Sequence, residues 1–271
     1  MKWLIAPLLV ILICLQVIPA QAAITYVGGQ TGTAAGQTAN IDVNFALTGG
    51  SNATPQAGDL VIITFCLAGT SDFSLIVEEP AGTDYDLLGT ESYVSDTFDV
   101  NRRTTARVMP GTPETAFRLD NGLGGIADAM AWSVHVFRGQ HGTYLEQAVQ
   151  QNSATNTSIV NPGGITPTTA GTWVYVVGCG ALGTGRQGSY TSSDLTAFIA
   201  TSQDDTNAVN IGAGYFEWTA GAFNPATFGG GGTDNAEHSY SWMIVAIAPA
   251  AGGGGVVCNG GLALLGVGGS C

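Results

Sequence analysis

The side chains that could perform acid–base chemistry are few and scattered in this sequence. It has three histidines, His135, His141 and His238, which lie far apart along the chain. His135 lies inside an apolar stretch typical of a strand, so packing is its expected role, whereas His141 stands beside a glycine as loop residues do. No nucleophile elbow, zinc-protease motif or phosphate-binding loop accompanies them. The sequence therefore predicts no catalytic residue, no metal site and no cofactor.

Two acidic segments carry the oxygen atoms that calcium prefers. They are DTFDVN at 96–101 and DDTN at 204–207. Calcium needs several oxygens that converge on one point, but aspartate and asparagine are also the ordinary residues of turns. We interpret both segments as turns. A glycosidase needs two carboxylates across a cleft, and among 20 acidic residues such a pair is expected by number alone.

An aromatic strand is the clearest candidate for ligand binding. Within VNIGAGYFEW (209–218), the two-residue period of a strand places Asn210, Phe216 and Trp218 opposite the apolar odd-numbered residues. If the odd-numbered face is the core, both aromatic rings point outward. Such rings stack on sugars, and Asn210 or Asn224 could offer an amide to the sugar hydroxyls. The alternative is a bulge at one of the two glycines of the strand, which would bury Trp218.

Four cysteines follow the N-terminal segment. Cys66 and Cys179 occupy matching positions in a stretch that the chain uses twice, and Cys258 and Cys271 close a glycine-rich C-terminal segment. Four cysteines in an exported chain indicate disulfides, for which three connectivities exist. We expect Cys66 to pair with Cys179 and Cys258 with Cys271. The alternative for the first pair is two free thiols that pack as small apolar groups.

The N-terminus predicts export. A positive start, an apolar run at 3–18 and small residues at Ala20 and Ala22 form the pattern of a signal peptide cut after Ala22. An uncleaved anchor is the alternative, but the run is shorter than the about 20 residues of a spanning helix. The net charge of −13 repels nucleic acid and anionic membranes. We expect a secreted, periplasmic or cell-surface protein with no nucleic-acid partner and no membrane span in the mature chain; its oligomeric state stays open.

One twelve-residue stretch, used twice, organises the chain. The copies GDLVIITFCLAG (58–69) and GTWVYVVGCGAL (171–182) each follow a proline-containing turn, and each has a cysteine eight residues after its first glycine. Strands that are covered on both faces lose their polar alternation, so both copies are predicted to be buried central strands. Two tryptophan strands, AWSVHVF (131–137) and SWMIVAI (241–247), follow them in the same order.

The rest of the chain consists of short strand candidates separated by turn residues. About twelve to fifteen strands and no convincing amphipathic helix are the pattern of a sandwich or jelly roll. The predicted fold is all-β: a single large β-sandwich or jelly roll at 23–249, built from two related halves that both contribute to the same two sheets. A signal peptide at 1–22 precedes it and a glycine-rich tail at 250–271 follows. Two separate domains are the alternative, although no polar linker divides the halves.

Three short motifs mark the ends of predicted strands: PQAGDL (55–60), FRG (137–139) and VAIAP (245–249). In these motifs the chain resembles a loose group of uncharacterised jelly-roll-like β-sandwich proteins of phages and bacteria. The resemblance implies a sandwich fold and a role at a virion or cell surface, and it supplies no catalytic residues. A signal peptide is not expected of an assembled virion protein and favours a secreted or surface-attached one.

These features predict a non-catalytic exported surface protein that acts in binding or adhesion, or as a structural component of a cell or virion surface. The expected partner is a glycan or another surface. The alternative is a secreted glycan-active hydrolase or lyase on the same fold, because a fold does not decide a function. A carboxylate with a raised pKa in a cleft would favour the enzyme.

Overall fold

A computed structural model describes residues 22–35, 40–121, 129–153, 160–183, 188–205, 207–230 and 239–250. These residues form strands, turns and loops and contain no helix. The strands are β1 (Thr25–Ala35), β2 (Asn40–Asn44), β3 (Leu60–Gly69), β4 (Ile76–Glu78), β5 (Asp86–Leu87), β6 (Ser92–Val94), β7 (Asp99–Val108), β8 (Ala116–Asp120), β9 (Ala129–Arg138), β10 (Gln140–Ser153), β11 (Trp173–Gly183), β12 (Tyr190–Thr191), β13 (Thr196–Gln203), β14 (Asn207–Glu217), β15 (Gly229–Gly230) and β16 (Ser239–Pro249).

Two antiparallel sheets form the body, and each comes from one half of the chain. The first sheet has the order β1–β9–β3–β7–β5, with β6 also paired to β7. The second sheet has the order β10–β16–β11–β14–β13. The repeated stretch forms β3 and β11, which lie at the centre of the two sheets, next to the tryptophan strands β9 and β16. Both copies are therefore central strands in equivalent positions, as predicted.

The register is repeated as well as the strand order. In both sheets the strand tryptophan lies opposite the residue that precedes the cysteine: Trp132 is opposite Phe65, and Trp242 is opposite Gly178. A shift of one residue would turn every side chain of a strand to the other face. The shared register means that the two halves present equivalent faces to each other.

The two sheets face each other across one hydrophobic core. A single cluster of buried side chains draws on β3, β7 and β9 from the first sheet and on β11, β14 and β16 from the second. Within it Cys66 and Cys179 form a disulfide, with their Cα atoms 5.9 Å apart. The predicted pairing of these equivalent cysteines is confirmed, and the bond joins the central strands of the two sheets.

Each sheet is also covered on its outer face by residues of its own half. The small sheet β2–β8–β4 lies over the first sheet, where a second buried cluster includes Phe65, Phe117 and Trp132. Loops and the β12–β15 pair lie over the second sheet, where a third cluster, the outer cluster, includes Phe228 and Trp242. Burial on both faces explains why β3 and β11 are continuous apolar runs.

The predicted all-β fold is confirmed, but its jelly-roll connectivity is not. In a jelly roll both halves would contribute strands to each sheet. Among the described residues, strands of 25–138 pair only with one another, and strands of 140–249 do the same. The sequence repeat could not distinguish the two arrangements, because the periodicity of a buried strand is the same in either sheet.

Two of the quoted motifs meet at one end of the body. Arg138 of FRG donates from Nε and Nη2 to the two carboxylate oxygens of Asp59 of PQAGDL, at 2.6 and 2.9 Å. Asp59 is fully buried and also accepts from the backbone N–H of Gln56 at 2.8 Å. Beside this pair, Ala250 N donates to Gly139 O at 2.7 Å, and Ala22 N donates to Ala250 O at 3.3 Å. These contacts therefore stabilise the turn before β3 and the end of β9.

Several predictions concern residues outside the described ranges. They are the signal peptide, apart from Ala22, the tail beyond residue 250, and the pair Cys258–Cys271. Within the described part of the chain, no helix is long and apolar enough to cross a membrane.

Candidate functional site

The predicted binding strand is β14, and its two faces are arranged as the alternation indicates. The odd-numbered residues from Val209 to Tyr215 belong to the core between the sheets, whereas Phe216 and Trp218 pack against the outer cluster. Pairing of β14 with β11 is continuous along its whole length, so no bulge on this side exchanges the faces. The strand glycines serve close packing instead: a Cβ at Gly212 would lie 2.7 Å from the ring of Phe198.

Three aromatic rings at the end of β14 form what we term the aromatic platform: Phe216, Trp218 and Phe223. The rings of Phe216 and Phe223 are stacked, with centroids 4.2 Å apart and planes at 6°. Trp218 donates from Nε1 to the carbonyl oxygen of Gly221 at 2.7 Å. Phe216 and Trp218 are half-buried, and Phe223 is buried. The platform is thus a partly exposed apolar surface whose rings are already held in place, which lowers the ordering cost of binding.

The polar residues predicted beside these rings have different positions. Asn224 is exposed and directly follows Phe223, and its Oδ1 lies beside Gly164, 3.7 Å from where a Cβ of that residue would be. Asn210 is fully buried and hydrogen-bonds the Tyr190 side chain. It lies eight residues from Trp218 along the strand, about 26 Å at the usual rise per residue. The structure therefore stacks Phe216 on Phe223, the residue before Asn224, and separates Asn210 from Trp218.

The sequence interpretation missed a cluster of charged residues in the first half. Tyr85 donates to Glu114 Oε2 at 2.5 Å, and Arg107 Nε lies 2.8 Å from Glu114 Oε1. Arg107 also approaches Glu79, at 3.6 Å. Burial raises the pKa of Glu114, against the lowering effect of its partners Tyr85 and Arg107. No sequence signal marks this cluster, because its members come from separate strands and loops.

A row of polar side chains lies buried between the two sheets. Thr64 Oγ1 is 3.1 Å from Thr104 Oγ1 and 3.1 Å from the hydroxyl of Tyr175 in the opposite sheet. Arg102 extends the row by donating from Nη1 to Thr104 Oγ1 at 2.9 Å. Arg102 is fully buried, and none of the ion pairs within the described ranges includes it. Burial lowers its pKa to about 10, so it is a charged group at neutral pH.

His135 is a packed residue of the same interior. Its Nε2 lies 3.2 Å from the carbonyl oxygen of Ala197, and because a carbonyl only accepts, Nε2 carries the proton of the neutral ring. Ala197 has a φ of +46° at an irregularity of β13, which turns its carbonyl toward the histidine. The rings of Tyr26 and Tyr175 lie 5.9 and 5.3 Å from the imidazole. Burial lowers the pKa of His135 to about 4.

We expect acid to destabilise the protein through His135. Between its unfolded pKa of 6.5 and its folded pKa of about 4, the unfolded state binds the extra proton, so stability falls as pH falls. The expected loss is about 3 kcal/mol of unfolding free energy across this interval. Urea unfolding at a series of pH values, compared with His135→Gln, isolates the effect, because the carboxylates titrate in both proteins. Parallel pH profiles for the two proteins would contradict it.

The acidic segment at 96–101 consists of a bend at 96–98 and the first three residues of β7. Asp99 accepts from the backbone N–H of Asp96 at 2.7 Å and from the hydroxyl of Tyr93 at 2.6 Å. Its two carboxylate oxygens therefore both have protein donors. In the part of the chain that the structure describes, no three His, Cys, Asp or Glu side chains converge in a way that could hold a metal ion.

Comparison with known proteins adds no family to this picture. No model of a known protein family matches the chain, and no curated protein matches it. Its function is therefore inferred from the chemistry of its own sites.

Proposed function

We propose that this protein is a non-catalytic exported surface protein that binds glycans through the aromatic platform. The observation that carries the proposal is the pair of fixed, half-exposed rings of Phe216 and Trp218, with the exposed residue Asn224 directly after Phe223 in the chain. Sugar recognition needs a flat apolar face for the ring and polar groups for its hydroxyls. The platform supplies the first and Asn224 the second.

Export is supported by two independent features. The signal-peptide pattern that ends at Ala22 directs a chain out of the cytoplasm. The disulfide between Cys66 and Cys179 is of a kind that forms and persists in oxidising compartments. A role at a cell or virion surface, in adhesion or as a structural component, follows from the resemblance of the strand-end motifs and belongs to the same proposal.

A glycan array with the mature protein, followed by titration of the best-bound sugar, tests the proposal. We expect Trp218→Ala to weaken that binding about tenfold or more, equivalent to about 1.4 kcal/mol. Because the indole is half-buried, the same change should cost about 1–2 kcal/mol of unfolding free energy, between the values for surface and core residues. Isothermal titration and urea unfolding measure the two effects separately.

Tyr240→Ala is the matched control. Tyr240 is also half-buried and packs against the same outer cluster. It pairs with Gly180, seven residues along β11 from Trp173, so it lies at the other end of the sheet. It should lose similar stability and keep its glycan affinity. Equal loss of affinity in the Trp218 and Tyr240 variants, or no sugar bound on the array, would refute the site.

A secreted glycan-active hydrolase or lyase is the second candidate, and Glu114 favours it. A half-buried carboxyl with a raised pKa is suited to act as a general acid, and Glu79 provides a second carboxylate beside the shared Arg107. The array sugars should then be cleaved by the wild-type protein and not by Glu114→Gln. If the wild-type protein leaves every bound sugar intact, the enzyme is excluded for those sugars.

A further inference from the structure

The segment that leads into β6 approaches β10, an edge strand of the other half, at one point. Gly89 has a φ of +71°, and a Cβ there would lie 2.9 Å from Gln150 Oε1 and 2.8 Å from the terminal methyl of Met243. Only glycine suits both this backbone conformation and this close approach. The next residue, Thr90, contacts Gln150 through both its backbone N–H and its hydroxyl. One hydroxyl of the first half thus meets one carboxamide of the second.

The donors around Gln150 determine which way its amide points. Oε1 accepts from Arg102 Nη2 at 3.0 Å and from the backbone N–H of Thr90 at 3.3 Å. Neither donor can accept a hydrogen bond, so the oxygen of the amide, and not its nitrogen, must face them. Nε2 consequently faces Thr90 Oγ1. Gln150 Oε1 therefore lies between the Arg102 guanidinium and the Thr90 N–H, and the Thr90 hydroxyl lies on the side of Gln150 Nε2.

The two donors at Gln150 Oε1 resemble the oxyanion-stabilising part of an acyl-transfer site. Donors aimed at a carbonyl oxygen stabilise the negative charge that forms on it when a nucleophile attacks the carbon. Arg102 suits this role because it is a buried cation whose other donor groups are held by neutral partners, Ser241 at 2.8 Å and Thr104 at 2.9 Å. In a low-dielectric interior, such a charge acts more strongly on a developing oxyanion than it would in water.

We propose that Thr90 and Gln150 form an intramolecular ester that joins the two halves of the chain. Thr90 Oγ1 attacks Gln150 Cδ, and the oxyanion forms on Oε1 between the Arg102 guanidinium and the Thr90 N–H. The Oγ1–Cδ bond forms, the Cδ–Nε2 bond breaks, and the hydroxyl proton leaves with the nitrogen as ammonia. The acyl carbon keeps its oxidation state, so the step needs no oxidant, reductant or cofactor. The ester is independent of the proposed glycan binding.

A neighbouring hydroxyl–amide pair shows what a merely structural contact looks like here. Ser92 and Asn152 lie two residues beyond Thr90 and Gln150. Ser92 Oγ donates to Asn152 Oδ1 at 2.5 Å and lies 2.8 Å from Ser241 Oγ. In this pair the hydroxyl faces the oxygen of the amide and not its nitrogen, which is the side a hydrogen-bond donor takes. Ser92 is therefore an internal control.

Mass spectrometry of the oxidised wild-type protein tests the ester. One lost ammonia should lower the intact mass by about 17 Da relative to the mature chain with its disulfides formed, and a protease digest should contain two peptides joined through Thr90 and Gln150. Thr90→Val keeps the shape and removes the hydroxyl, so it should restore the full mass. Thr90→Ser should retain the deficit, and so should Ser92→Ala.

A full intact mass, with Thr90 and Gln150 recovered in separate peptides, would overturn the proposal. A mass deficit that persists in Thr90→Val would also overturn it, because the ammonia would then have been lost at another site. Ammonia lost from an asparagine, for example, lowers the mass but leaves no joined peptides. Thr90 is exposed, so neither substitution at this position is expected to prevent folding. Matching circular dichroism spectra of the Val and Ser variants verify this.

Discussion

Removal of the disulfide should cause the largest loss of stability in this protein. Cys66 and Cys179 are 113 residues apart, and closing a loop of that order stabilises a fold by about 4–5 kcal/mol through the entropy of the unfolded chain. We expect the double variant Cys66→Ala, Cys179→Ala to lose about that amount of unfolding free energy. Urea unfolding under oxidising conditions measures the loss. The Thr90–Gln150 ester would shorten the loop that the disulfide closes. Removal of the disulfide should therefore cost more unfolding free energy in a Thr90→Val background than in the wild-type protein.

The reduced protein is the matched control when every form compared carries Cys258→Ser and Cys271→Ser, because reduction then breaks only the Cys66–Cys179 bond and keeps both side-chain volumes. Both cysteines are fully buried, so reduction is carried out in denaturant before refolding with reductant present. The reduced protein and the double variant should agree with each other. If the unfolding free energies of both lie within about 1 kcal/mol of that of the oxidised protein, the bond contributes little to stability.

Arg102→Ala should destabilise the protein by about 3–5 kcal/mol. The change leaves a cavity between the sheets and removes the donor that Thr104, Ser241 and Gln150 share. Arg102→Met should restore most of the loss, because it refills the volume and removes a buried charge that pairs with no carboxylate in the described part of the chain. Urea unfolding of the three proteins measures both steps.

Arg103→Ala provides the comparison for a charge in an ordinary setting. Arg103 is the next residue of the same strand and forms a part-exposed ion pair with Glu91 at 3.6 Å. Its loss should cost no more than about 1 kcal/mol. If Arg102→Met proved as damaging as Arg102→Ala, the hydrogen bonds of the guanidinium, rather than its volume, would hold the two sheets together.

The central strands could be predicted because burial on both faces leaves a direct mark on composition. The same equivalence made the pairing of Cys66 with Cys179 predictable, since matched positions in two related sheets lie opposite each other. The sheet that each half joins could not be predicted, because the alternation of a strand reports its faces and not its neighbours. The connectivity therefore required coordinates.

For the candidate sites too, properties local to one strand could be predicted and contacts between distant segments could not. Alternation predicted that Phe216 of β14, and Trp218 just after it, face away from the core between the sheets, since that property is local to one segment. It could not show that Asn210 is covered, because the covering side chain, Tyr190, comes from a distant segment. The contact of Thr90 with Gln150 joins residues 60 apart in the chain. No periodicity within either segment encodes such a meeting.

The meeting of Ala22, Ala250 and Gly139 has a consequence for the order of the two halves. The ends of the described body lie against the junction between its halves, and chains with adjacent ends tolerate circular permutation. A chain opened between Gly139 and Gln140 and rejoined from Ala250 to Ala22 would carry its second half first. Because each half completes its own sheet, such a permutant would keep every strand pair. The strand pairing therefore does not depend on which half comes first in the chain.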